Sequence, residues 1–178
     1  MISFMKRSHG TLWSLSHEQT TYTYMSRDYP KFLPLELPKT LLATDDFEEY
    51  QVYGEAAVDD WSMQVPRNNG AVRLGDNHRA LIVATGHELH CLYRMISAMN
   101  YPDIPASAPE HSLHCLDYLR QSILCNADLT LERFDPLERV ISQPKLGTVH
   151  VCRDWTVLFK SLEENFEEWI DFYSNSNT

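Results

Sequence analysis

The sequence is short of cations, of long apolar runs and of cysteine. Fifteen Lys and Arg face 25 Asp and Glu, a formal net charge of −10. That balance, with no basic patch interleaved with aromatics, argues against nucleic acid or anionic membrane surfaces as main partners. No run of roughly 18 or more apolar residues occurs, so no membrane span is encoded in it. Residues 1–30 lack the apolar stretch of a secretory signal, and no Asn-x-Ser/Thr acceptor is present. Taken alone, these absences predict a soluble, non-secreted chain. Four cysteines are too few to settle a redox compartment.

What is present is enough for one domain. Apolar residues make up 43% and aromatics 11% of the 178 positions, which supports a real core. Acidic residues gather at Asp45–Glu49 and Glu163–Asp171, as on solvated helix faces. Residues 1–43 show no sustained periodicity. Tyr22, Tyr24 and Tyr29 lead into Pro30, Pro34 and Pro38, and prolines at that spacing forbid a regular helix. This stretch reads as an extended or partly disordered arm, lying across a domain formed by residues 44–174.

The domain is organised around a duplicated motif. His87-Glu88-Leu89-His90-Cys91 recurs as His111-Ser112-Leu113-His114-Cys115, each copy continuing with a leucine, Leu92 and Leu116. Four of the eight histidines and two of the four cysteines fall in these ten positions. A helix turns about 100° per residue, so His87, His90 and Cys91 share one face, as do His111, His114 and Cys115. A lone His-x-x-His is often two half-buried core histidines. Duplication with the adjacent Cys and Leu points instead to metal ligation, since helix bundles build metal sites from i,i+3 pairs turned inward.

The remaining pattern predicts a mainly α fold with few short strands. Asp45 and Glu48 resemble a helix cap, and Glu55–Met63 is a short helix, with Trp61 a core residue. Asn69-Gly70 and Gly75-Asp76-Asn77 are turn signals. Leu81-Ile82-Val83-Ala84 fits either a buried strand or the start of the next helix. The first motif helix runs to about Asn100. The second starts near Ser107, with Glu110 completing a capping box, and runs to about Asn126. Their short, proline-stiffened link predicts an antiparallel hairpin with the two histidine faces toward each other. Residues 147–152 read as a short strand bringing His150 and Cys152. From Asp154 to Tyr173, Trp155, Leu158, Phe159, Leu162, Phe166, Trp169 and Ile170 recur at helical spacing opposite four glutamates. The motif hairpin is expected to pack with this amphipathic helix.

These residues carry a family resemblance. The two His-x-x-His-Cys motifs, Tyr118-Leu119-Arg120-Gln121-Ser122-Ile123-Leu124-Cys125-Asn126-Ala127-Asp128 and Val149-His150-Val151-Cys152-Arg153-Asp154-Trp155 resemble the UstYa-like family of fungal mycotoxin-biosynthesis proteins, over about residues 50–170. The resemblance implies an oxidoreductase that tailors a fungal secondary metabolite. The chemistry it implies is oxidative macrocyclisation, dehydrogenation, hydroxylation or halogenation of a peptide or other small precursor, with copper in some members. It also implies homo- or hetero-oligomers with other family members. Members usually carry one membrane-spanning helix before a luminal domain in the secretory pathway, a pattern from which this sequence departs.

The ligand chemistry narrows the metal. Four neutral imidazoles suit copper, zinc or iron, and zinc has no redox chemistry. An iron site of the two-His, one-carboxylate type would need Glu88, Glu110 or Asp128, none of which completes a recognised pattern. The expectation is one or two copper ions at His87, His90, His111 and His114, with His150 as a fifth ligand, and iron or zinc as alternatives. Cys91, Cys115, Cys125 and Cys152 are either thiolate ligands or disulfide partners, Cys91 with Cys115 and Cys125 with Cys152. A Cys91–His87 nucleophile lacks a third partner. The competing class is a non-catalytic zinc-stabilised helical binding module.

Overall fold

A computed structural model describes residues 22–44, 50–103, 109–131 and 148–176. The expected caps at Asp45 and Glu48 and at Ser107 lie outside the described residues. Within them the fold is mainly helical, with two small antiparallel sheets. The elements in chain order are β1 (Lys39–Ala43), α1 (Glu55–Met63), a 3-10 turn (Arg67–Gly70), β2 (Ala71–Leu74), β3 (Arg79–Ile82), α2 (Ala84–Asn100), α3 (Pro109–Asn126), β4 (Val149–Arg153) and α4 (Trp155–Ser176).

Residues 22–38 form an extended strap rather than a loose leader. Leu33, Leu35 and Leu37 alternate inward onto Val72, Leu158 and Leu162, the buried core between β2 and α4. Arg79 fastens the strap's other end. Its guanidinium donates to the Tyr24 carbonyl at 3.2 Å and lies 4.7 Å from the Tyr29 ring centroid. The strap then enters β1, which pairs antiparallel with β4 in the register Lys39 to Arg153, Leu41 to Val151 and Ala43 to Val149.

The ambiguous apolar run resolves into both readings: β3 ends at Ile82, and α2 begins two residues later. Gly75, with φ of 70°, makes the turn that lets β3 pair with β2, Leu74 opposite Arg79. α4 starts one residue later than expected and runs three residues further, to Ser176. Asp154 opens it by accepting hydrogen bonds from the Thr156 N–H and hydroxyl, at 3.0 and 2.6 Å. α4 buries Leu158 and Leu162 and packs on β2 and the 3-10 turn, which in turn touches α2. The amphipathic helix thus reaches the motif hairpin largely through these two elements. Arg67 of the 3-10 turn pairs with Glu163 and Glu167, so part of the acidic face of α4 is used as an anchor.

α1 and the end of α2 are clamped by one amide. Asn100 accepts from the Gly54 N–H at 2.8 Å and donates to the Val52 carbonyl at 2.9 Å. Trp61 donates its indole N–H to the Gln51 carbonyl at 3.0 Å, giving that ring a polar anchor beside its packing. Among the described residues, no helix is long and apolar enough to cross a membrane.

Candidate metal centre

The two motif helices face each other in antiparallel fashion, and the ring contacts prove the direction. His87 lies 5.7 Å from His114 between ring centroids, and His90 lies 6.0 Å from His111. Rising numbers on α2 therefore meet falling numbers on α3. Along each helix the pairs are 6.4 Å (His87 to His90) and 6.5 Å (His111 to His114) apart. Four imidazoles from two helices thus form a closed quadrilateral.

Its size bears on what it can hold. A single tetrahedral ion with metal–nitrogen bonds of about 2.0–2.1 Å would place neighbouring ring centroids roughly 5 Å apart. The observed edges exceed that by about 1 Å, and no three His, Cys, Asp or Glu among the described residues are gathered tightly enough to grip one ion as they stand. Donor type and facing direction fit a late transition metal; the rings would have to draw in around one ion or divide between two.

Electrostatics favour the neutral form of the two α2 rings. Burial lowers the pKa of His87, and His114 and His111 add to the effect while Glu88 opposes it. Burial also lowers that of His90, helped by Arg94 and the neighbouring imidazoles. Neutral imidazole is the form with a free lone pair, so the environment favours ligation over protonation.

Two supporting residues were not visible in the sequence pattern. Asn69, read there only as part of a turn, accepts a hydrogen bond from His90 Nδ1 at 3.2 Å. An acceptor at Nδ1 fixes the tautomer with the lone pair on Nε2, the arrangement that metal-bound histidines commonly use. Asn69 is delivered by a backbone contact. Gly70, at φ 73°, lies so close to Gly86 that a Cβ on Gly70 would stand 2.6 Å from the Gly86 Cα. Tyr118 is the second. Its ring centroid is 4.2 Å from that of His87 and 6.3 Å from that of His114, covering one edge of the quartet. Its spacing of four from His114 and seven from His111 was the available signal.

Cys91 and Cys115 are fully buried, and their sulfurs are within hydrogen-bonding contact of each other. Burial and that neighbour push the Cys91 thiol up to about 12, so it is not a ready thiolate or nucleophile. Cys125 is exposed near the end of α3, and Cys152 is half-buried on β4 opposite Thr40.

His150 stands elsewhere. Ala127, at φ 41°, turns the chain out of α3, and Asp128 accepts a hydrogen bond from His150 Nδ1 at 2.8 Å. By helical rise this pair lies roughly 20 Å along α3 from His114. The structure therefore does not bring the expected fifth ligand to the quartet.

The family model described as "Mycotoxin biosynthesis protein UstYa" matches residues 41–169, most of the chain. The chain belongs to the UstYa family. It is 27% identical over 141 residues to "Oxidase ustYb" of Aspergillus flavus, covering 56% of this chain and 54% of that protein. It is 27% identical over 158 residues to "UstYa family oxidase phomYb" of Diaporthe leptostromiformis, covering 76% and 62%. With "Oxidase ustYa" of Aspergillus flavus it shares 31% over 91 residues, covering 49% and 43%. The matches thus span less than two thirds of each relative's length. No solved structure matches the chain.

Proposed function

We propose that this UstYa-family chain is an oxidoreductase that tailors a small molecule or peptide of fungal secondary metabolism, with the imidazole quartet as its active site. The observation that carries the reading is the closed ring of His87, His90, His111 and His114. The oxidase names of its relatives supply the reaction class. The same four residues would hold copper, without His150. When bound there, copper supplies one-electron redox chemistry with O₂ or a peroxide as oxidant.

The chain's own residues have separate tasks in this reading. Asn69 orients His90, and Tyr118 shields the His87 edge from water. Cys91 and Cys115 lock the helices side by side at the base of the site. Residues 44–174 act as the catalytic unit, with the strap shaping substrate approach. A groove of about 940 Å³ runs between the strap, β3 and α4, lined by Leu33, Leu35, Leu37, Leu81, Val83 and Leu158. Its volume suits a small-molecule site. Its wall reaches the quartet through the backbone, because the Val83 carbonyl accepts from the His87 N–H at 3.1 Å.

Copper titration of metal-free protein tests the reading. Stoichiometric uptake is expected, with a Cu(II) spin-resonance signal split by imidazole nitrogen. His87→Ala and His111→Ala should each weaken it, and His150→Ala should not. Stoichiometric zinc with no copper uptake would favour the zinc-stabilised binding module instead and overturn the oxidase.

A further inference from the structure

α3 has two contrasting faces. One turns His111, Cys115 and Tyr118 toward α2, against which, among the described residues, it chiefly packs. The other carries Leu113, Leu116, Ile123 and Leu124, which are 68, 55, 70 and 65% exposed. At about 100° per residue these four fall within an arc of roughly 100°, with Arg120 inside it and Asp117 at its edge. An aliphatic stripe of that width is the pattern of a helix face that packs. On a chain with net charge −10 it is out of character as open surface.

We propose that this face closes on the same face of a second copy of the chain, the two α3 helices antiparallel about a two-fold axis. The choice of partner rests on self-complementarity. An axis level with the midpoint between Tyr118 and Leu119 brings Leu113 opposite Leu124 of the partner subunit. Leu116 lies beside Ile123 of the partner subunit. Asp117 comes level with Arg120 of the partner subunit, and Arg120 with Asp117 of the partner subunit. Within one chain Arg120 already donates to Asp117, at 3.0 and 2.8 Å. Across the axis the four charges alternate in sign and cancel. A face bearing one sign of charge would repel its own copy; this one meets the condition for an isologous interface. The inference is independent of the metal reading, because the histidines occupy the opposite side of α3.

Sedimentation velocity on the full chain over a concentration series is the test. A dimer is expected. Asp117→Arg and Arg120→Asp should each raise its dissociation constant by about tenfold or more, because like charges then stand level. The double variant Asp117→Arg with Arg120→Asp should return it to within about threefold of the wild type. Leu113→Glu with Leu124→Glu should give a monomer with unchanged circular dichroism, since both leucines are exposed. A wild-type monomer at every concentration would overturn the proposal. So would a dimer indifferent to these substitutions, or a monomer that instead co-sediments with phosphatidylcholine vesicles.

Discussion

His87 and Tyr118 lie ring against ring, 4.2 Å between centroids and inclined at 42°. The contact holds one imidazole of the quartet at a fixed tilt from the opposite helix. Removing the ring while keeping an apolar side chain separates shape from chemistry. Tyr118→Phe should leave copper affinity within about threefold of the wild type, whereas Tyr118→Ala should weaken it by roughly 10-fold or more. Titration monitored by spin resonance reads both. Equal losses in the two variants would mean that the hydroxyl, and not the ring contact, matters.

Asn69 gives a second handle on the same site. Asn69→Ala removes the acceptor at His90 Nδ1 and frees the tautomer. Copper affinity should fall by roughly 10–100-fold, the usual cost of losing an outer-sphere partner. Stability of the metal-free protein should fall only modestly, by about 1 kcal/mol, since the bond is exposed and the cost is that of Ala in the left-handed backbone Asn69 holds, φ 54°. Gly70→Ala should behave differently. Its Cβ would meet the Gly86 Cα at 2.6 Å from a left-handed backbone, so the whole 3-10 turn must shift. A stability loss of about 2 kcal/mol or more by urea denaturation is expected, with copper affinity lost as well.

How far these features could be read from sequence depends on their range. The antiparallel hairpin and its meeting faces were legible because His87, His90 and Cys91 obey the local helical period, as do His111, His114 and Cys115. The α4 helix was legible for the same reason. Asn69 was legible only as a turn residue, because its partner His90 is 21 positions away and reached through a Gly70–Gly86 contact that no periodicity encodes. The strap's three leucines alternate, but prolines hid the pattern among turn signals. His150 shows the converse. A histidine near the motifs in composition is not near them in space, since β4 takes its position from β1, and Asp128 takes up its ring nitrogen.

The two buried thiols should be chemically silent in reduced protein. With Cys91 held at about 12 and both sulfurs without exposure, alkylation by iodoacetamide at pH 8 should label Cys125 first. Cys91 should react far more slowly, because so little of it is thiolate at that pH and its sulfur is covered. Under oxidant the same proximity favours a Cys91–Cys115 bond. Closing that loop should add about 3.5 kcal/mol by the chain-entropy estimate. Peptide mapping under non-reducing conditions checks the pairing. Rapid labelling of Cys91 in the folded, reduced chain would contradict the burial argument.

Asp128 should make stability depend on acidity. The Thr130 hydroxyl and N–H, and then His150, hold its carboxyl down at about 2. A folded value below the unfolded one means that the ionised form is favoured by folding. The contribution is therefore fully present above about pH 4, the ordinary carboxylate value, and is lost as the pH falls through about 2. Asp128→Asn should accordingly unfold at lower urea than the wild type at pH 7, and the gap should shrink between about pH 4 and pH 2. Copper binding at the quartet should be unchanged at pH 7, because Asp128 and His150 stand at the far end of α3. A gap that persists undiminished at pH 2 would show that the residue acts through packing and not through its charge.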